Sequence, residues 1–138
     1  MIKSYSFNIN APASSSLTQT TSGQLDFKHR IIRLKALFSS GMQDSLKIYF
    51  FGGVNTADTD GSTSTPLGFN LLQQPGLPTS GTSLAVPYLQ SAGGPVLVNI
   101  DTMTDIKSTS SFLAVRVENS SAAALRVQCW IEVQELDD

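Results

Sequence analysis

The stretch Leu125-Arg126-Val127-Gln128-Cys129-Trp130-Ile131-Glu132-Val133-Gln134 sets apolar residues at every odd position and larger or polar ones at every even position. A period of two belongs to a strand with one face toward a core. Just upstream, Leu113, Val115 and Val117 alternate with Phe112, Ala114 and Arg116. Between the two runs lies Glu118-Asn119-Ser120-Ser121-Ala122, short and rich in turn formers. The expectation is a long β-hairpin over residues 111–136, placed in the middle of the fold.

The same reading extends toward the N-terminus. Tyr5, Phe7 and Ile9 alternate with Ser4, Ser6, Asn8 and Asn10, a terminal strand that pairs in its own sheet or with a neighbouring subunit. A polar segment bounded by Pro12 and Gly23 reads as a loop with a short strand at 17–21. Leu25, Phe27 and Ile31 are odd-numbered, whereas Ile32, Leu34, Ala36 and Phe38 are even-numbered. A one-residue slip moves every later side chain to the other face, so a β-bulge or strand bend is expected at Ile31–Ile32. Leu46, Ile48 and Phe50 alternate with Lys47, Tyr49 and Phe51 in the next strand, which Gly52-Gly53 is expected to end.

The middle of the chain carries two long polar loops, 55–68 and 73–83, around a short strand at 69–72. A short strand at 84–89, broken or placed at an edge by Pro87, leads to a turn at Gly93-Gly94-Pro95. Val96, Val98 and Ile100 open a further strand, and one helical turn is expected at 101–106. About eight short strands without a clear helix imply an all-β, antiparallel β-sandwich. Long closing strands and shorter middle strands favour a jelly-roll-like arrangement, and the immunoglobulin spacing of Cys and Trp is absent.

A chain of 138 residues is one domain, 1–138, whose first 24 residues form the N-terminal strand and loop. Net charge is −2, which argues against coating nucleic acid and against docking on anionic lipid. Charged residues make up 14% of the chain, and 19 Ser and 12 Thr take their place. Weak self-repulsion of this kind suits close packing among many copies. The first residues show no apolar signal segment, so synthesis in a host cytoplasm is expected.

Chemistry-bearing groups are sparse. The single His29 sits between Lys28 and Arg30, which repel a cation, and no Gly-x-Ser-x-Gly elbow supports a triad. It reads as a structural histidine. Asp58-Thr59-Asp60-Gly61 begins like a calcium loop, but a loop so aligned has Thr56 first and Leu67 last, without the closing Glu. Cys129 is alone and on the buried phase, a small core residue. No catalytic residue, metal site or cofactor is expected, and the protein reads as a non-enzyme. Asn119-Ser120-Ser121 matches a glycosylation acceptor but reads as a turn.

Aromatic residues on the outward phases are the remaining feature. Tyr49, Phe51, Phe112 and Trp130 point away from the expected core, so they are covered by loops, form a subunit or partner interface, or offer a stacking platform for sugar rings. Tyr5 and Phe7 of the terminal strand join them as expected contact residues. In its alternating strand 4–10, basic-flanked strand 28–38, hydroxyl-rich loops 55–68 and 73–83 and closing pair 111–136, the chain resembles small jelly-roll proteins of virus and phage particles, in particular capsid decoration or cement proteins. That resemblance implies homo-oligomers, often homotrimers, on a lattice of major capsid or other virion protein, and a place in the virion. The alternative reading is a lectin-like or receptor-binding module that holds a glycan or host protein in its long loops.

Overall fold

The computed structural model describes residues 1–14, 18–38, 46–54, 69–72, 77, 87–90 and 96–136. Among them are nine strands and no helix: β1 (Ile2–Ala11), β2 (Thr18–Thr21), β3 (His29–Phe38), β4 (Leu46–Val54), β5 (Phe69–Asn70), β6 (Leu89–Gln90), β7 (Val96–Ile106), β8 (Phe112–Asn119) and β9 (Leu125–Glu135). All pair antiparallel, and the pairing is nested. Ile2 lies opposite Gln134, Thr18 opposite Val117, His29 opposite Ile106 and Lys47 opposite Gln90. Each pair joins positions nearly equidistant from the two chain ends, as in one long hairpin. That hairpin is then rolled. β9 also pairs with β3, and β8 also pairs with β4. The result is a sheet of order β1-β9-β3-β7 facing one of order β2-β8-β4-β5, with β6 also on β4. This is the strand order of a jelly roll, two antiparallel sheets around one core.

The expected hairpin over 111–136 is therefore corrected. β8 and β9 both bury alternate residues, but they do so from opposite sheets and face each other across the core. Alternation states which face of a strand is buried; it does not state the hydrogen-bonding partner. Both strands do occupy inner positions of their sheets, as expected.

The link 120–124 is a corner from one sheet to the other, and Asn119 builds it. Its buried Nδ2 lies 3.0 Å from the Ala11 carbonyl, 3.1 Å from that of Pro12 and 2.9 Å from that of Ala123. The Ser121 N–H donates to Asn119 Oδ1 at 2.9 Å, a local Asx turn. Buried and bonded in this way, Asn119 serves the turn and is no glycan acceptor.

β3 carries the expected bulge. Its register shifts between Ile31 and Arg33 against both neighbours. Against β9 the extra residue is Ile32, so His29 and Ile31 face the core before the slip and Leu34, Ala36 and Phe38 face it after. Opposite the bulge, 101–106 is the end of β7 and not a helical turn. Ladder pairing with β3 and the β-branched Thr102 and Thr104 favour the extended form. β4 likewise runs on through Gly52 and Gly53 to Val54 across a second register shift. Gly53 sits at φ 64°, where a residue without Cβ avoids a clash.

The core lies between the sheets, where Phe7, Ile9, Leu34, Phe38, Phe50, Leu113, Val115 and Ile131 meet. β5 and the following Leu71 and Leu72 close one side, both leucines fully buried. The expected features at 55–68, 91–95 and most of 73–86 lie outside the described residues.

Candidate functional site

The two outer faces differ in chemistry. On the β1-β9-β3-β7 sheet, cross-strand rows can be read directly from the register. One row is Ser4, Glu132, Arg33 and Asp101; the next is Ser6, Trp130, Lys35 and Asn99; the third is Asn8, Gln128, Leu37 and Leu97. Alternation turns all twelve away from the core.

Charges at one end of this face are matched in pairs. Glu132 accepts from Lys35 Nζ at 3.2 Å and from Arg33 Nη1 at 3.4 Å. Arg33 Nε donates to Asp101 at 3.2 Å. Arg30 forks onto Asp105, with Nε at 2.6 Å and Nη2 at 3.1 Å from its two oxygens. The hydrogen bonds from Arg30, followed by its charge, hold the Asp105 carboxyl below the usual carboxylate range.

The other end of the face is apolar. Leu37 and Leu97 stand opposite each other and are 40% and 56% exposed; Val96, also exposed, lies opposite Phe38 on the other phase of β7. β7 is the last strand of its sheet, so its outer edge is unpaired among the described residues. Met103, 73% exposed, lies further along the same strand. A long edge strand with exposed apolar side chains is a template for pairing with another chain.

The outer face of the second sheet is already covered. Tyr49, Phe51, Val54, Tyr88 and Ala114 form a second buried cluster, with Phe112 packed against it. Tyr49 and Tyr88 rings lie 5.6 Å apart, and the Arg116 guanidinium sits 5.4 Å from the Phe51 ring centre. The Tyr49 hydroxyl donates to Glu118 at 3.3 Å; burial, followed by Glu118, pushes its phenol well above the ordinary range.

Of the six aromatic residues expected at contacts, Tyr49, Phe51 and Phe112 come together in one cluster and the other three lie elsewhere. Phe7 is a core residue, which corrects its expected place at a contact surface. Tyr49 and Phe51 are buried in the second cluster and Phe112 packs on it, so these outward-phase aromatics are covered, one of the expected outcomes. Tyr5 is half-buried against the core. Trp130 alone stands on the charged outer face, half-buried between Ser6 and Lys35. Leu37 and Leu97 were not singled out from the sequence. The signal was there, because each is an apolar residue on the phase its neighbours Lys35 and Asn99 use for solvent.

His29 and Cys129 lie inside. The His29 ring is fully buried, with Nδ1 3.0 Å from the Phe27 carbonyl. Burial pushes the Cys129 thiol up to about 12. Among the described residues no three His, Cys, Asp or Glu side chains group as metal ligands, and no helix is long and apolar enough to cross a membrane. Asp58 and Asp60 lie outside the described residues.

No protein-family model matches the chain, and no curated protein does. Two solved structures show a weak likeness to the chain. The structure of the infectious bursal disease virus Gx strain matches at 9% identity and a TM-score of 0.35, over 96% of this chain and 32% of that one. The crystal structure of the infectious bursal disease virus VP2 subviral particle matches at 10% identity and a TM-score of 0.24, over all of this chain and 42% of that one. This chain spans less than half the length of either. The fold assignment rests on the strand pairing, not on these likenesses.

Proposed function

We propose that this chain is a non-enzymatic structural protein of a virion, of the decoration or cement type, which packs against copies of itself and against major capsid or other shell proteins. One observation carries the reading: Leu37 and Leu97 lie exposed opposite each other on the outer face, beside the edge of β7 that is unpaired among the described residues. Burying that patch against a partner contributes about 25 cal/mol per Å² of apolar area, and the edge backbone offers directional hydrogen bonds. Few charges elsewhere keep repulsion between copies low. The proposed self-assembly is a homotrimer, and no cofactor, nucleic acid or membrane takes part.

Light scattering over a concentration series tests this. The expected result is a mass near three chains that falls to one chain when Leu37→Lys and Leu97→Lys are combined, with the unfolding midpoint unchanged. A monomer at every concentration that also fails to bind shell protein overturns it.

A second reading has its own observation. Trp130 lies in a row with Ser6, Lys35 and Asn99, next to Asn8 and Gln128. An aromatic ring among amides and hydroxyls is a platform for a sugar ring, as in a lectin-like module. Trp130→Ala abolishes glycan binding in that case and leaves the solution mass as it was.

A further inference from the structure

We propose that His29 is an acid-sensitive latch: proton uptake on its ring opens the end of the sandwich at which β3, β7 and β9 terminate and to which both described chain termini are tied. His29 is the first residue of β3, and it lies opposite Ile106 and Glu135, the last residues of β7 and β9. Its ring is 0% exposed. Nδ1 lies against the Phe27 carbonyl, an acceptor, so Nδ1 holds the proton and Nε2 is the bare nitrogen. Nε2 is buried with no partner among the described residues. A second proton there creates a cation in the core with no acceptor for its N–H among the described residues, which burial strongly disfavours.

Two further buried polar atoms without partners occur on the same closing segments. Thr104 Oγ1 belongs to the residue opposite Ile31, and Ser111 Oγ belongs to the residue that bridges to Leu25. Among the described residues, all three buried side-chain polar atoms without a partner lie in these segments. The backbone bonds that shut it are local: the Glu135 N–H donates to the Met1 carbonyl at 3.0 Å, the Leu136 N–H donates to the Lys28 carbonyl at 2.9 Å, and Leu25 and Ser111 bond each other.

Among the described residues, no charged group around the latch forms a hydrogen bond or ion pair with the imidazole. On its own strand, Arg30 is held by Asp105 of β7, and the half-buried Lys28 immediately precedes the strand. From β9, Glu135 is exposed, and beyond β7, Lys107 is exposed. From the preceding segment, Asp26 is exposed and Phe27 packs edge-on to the ring with centroids 5.7 Å apart. From β1, Lys3 Nζ sits 4.5 Å from the Phe27 ring centre, and the Tyr5 phenol is neutral. No carboxylate is hydrogen-bonded to His29 among the described residues.

The sign follows. Burial holds the folded pKa of His29 below the ordinary 6.5, the Phe27 carbonyl opposing it only in part. The unfolded or opened form binds the proton more readily, so the closing energy is complete above the ordinary value and is lost as pH falls toward the folded one. Opening the end releases Met1 and the start of β1, with the exposed Ile2, from Gln134 and Glu135.

His29 is the chain's sole histidine, so its imidazole resonance is unambiguous in a proton NMR titration of the full chain. The folded protein is expected to titrate below 6.5. Backbone hydrogen exchange, corrected for intrinsic rates, is expected to speed up about tenfold for each unit of pKa depression at Ile106, Ser111, Glu135 and Leu136 between about pH 7.5 and about pH 5. Amides of Val115 and Ile131 are expected not to change. In His29→Gln the acceleration disappears. An imidazole that titrates at or above its ordinary value overturns the proposal, as does unchanged exchange at this end or equal acceleration in the Gln variant. If that variant does not fold, the wild-type titration and exchange decide the matter.

Discussion

The Nδ2 of Asn119 lies 3.0 Å from the carbonyl of Ala11, across 108 positions of sequence. One amide thereby ties the β8–β9 corner to the end of β1, and its bond to Ala11 is buried, where a freed carbonyl would have no water. Asn119→Ala is expected to cost about 1–3 kcal/mol, the penalty for leaving buried polar partners unmade. The urea midpoint measures it. Asn119→Asp removes the same donor and is expected to do no better. A midpoint equal to that of the parent shows that the corner is held by something else.

The bulge of β3 separates two neighbouring isoleucines with opposite fates. Ile31 is fully buried and Ile32 half-buried on the outer side. Ile31→Ala is expected to lose about 2–5 kcal/mol, the usual range for emptying a core site. Ile32→Ala is expected to lose about 1 kcal/mol, nearer to a surface change. Equal losses in denaturant unfolding would place the slip elsewhere.

Gly53 takes φ 64°, a region that costs an L-residue about 1–2 kcal/mol. Gly53→Ala is expected to be destabilised by that amount and Gly53→Asn by less, since Asn tolerates the left-handed region. At Gly52 the limit is space: an added Cβ meets Leu71 Cδ2 at 3.2 Å. Since Leu71 is itself fully buried, a thermal melt of Gly52→Ala is expected to fall while that of Gly52→Ala with Leu71→Ala recovers part of the contact strain, read as a positive coupling in the double-mutant cycle.

Cys129 is fully buried and its thiol is pushed up to about 12 by burial. At mildly alkaline pH almost no thiolate forms, and no reagent reaches the sulfur. An aromatic disulfide reagent is therefore expected to leave the native protein unmodified and to react fully in denaturant, with the native rate tracking opening of the β1-β9-β3 region. Prompt modification of the folded protein at one thiol per chain would contradict the packing of β9.

Much of this protein can be read along the chain. Alternation at Leu125–Gln134 marks β9, the odd-to-even change at Ile31–Ile32 marks the bulge, and lone apolar Cys129 marks a core position, because each depends on which side of a strand faces water. A period of two repeats identically in every strand, so it names no partner. Only the tertiary structure decided that β8 and β9 belong to opposite sheets, that 101–106 continues as strand against β3, and that Tyr49 and Phe51 are buried under a second aromatic cluster while Leu37 and Leu97 are left exposed. Those outcomes depend on contacts between residues tens of positions apart. Such contacts form when nested strands roll up and the corner at Asn119 closes, and no local spacing encodes them.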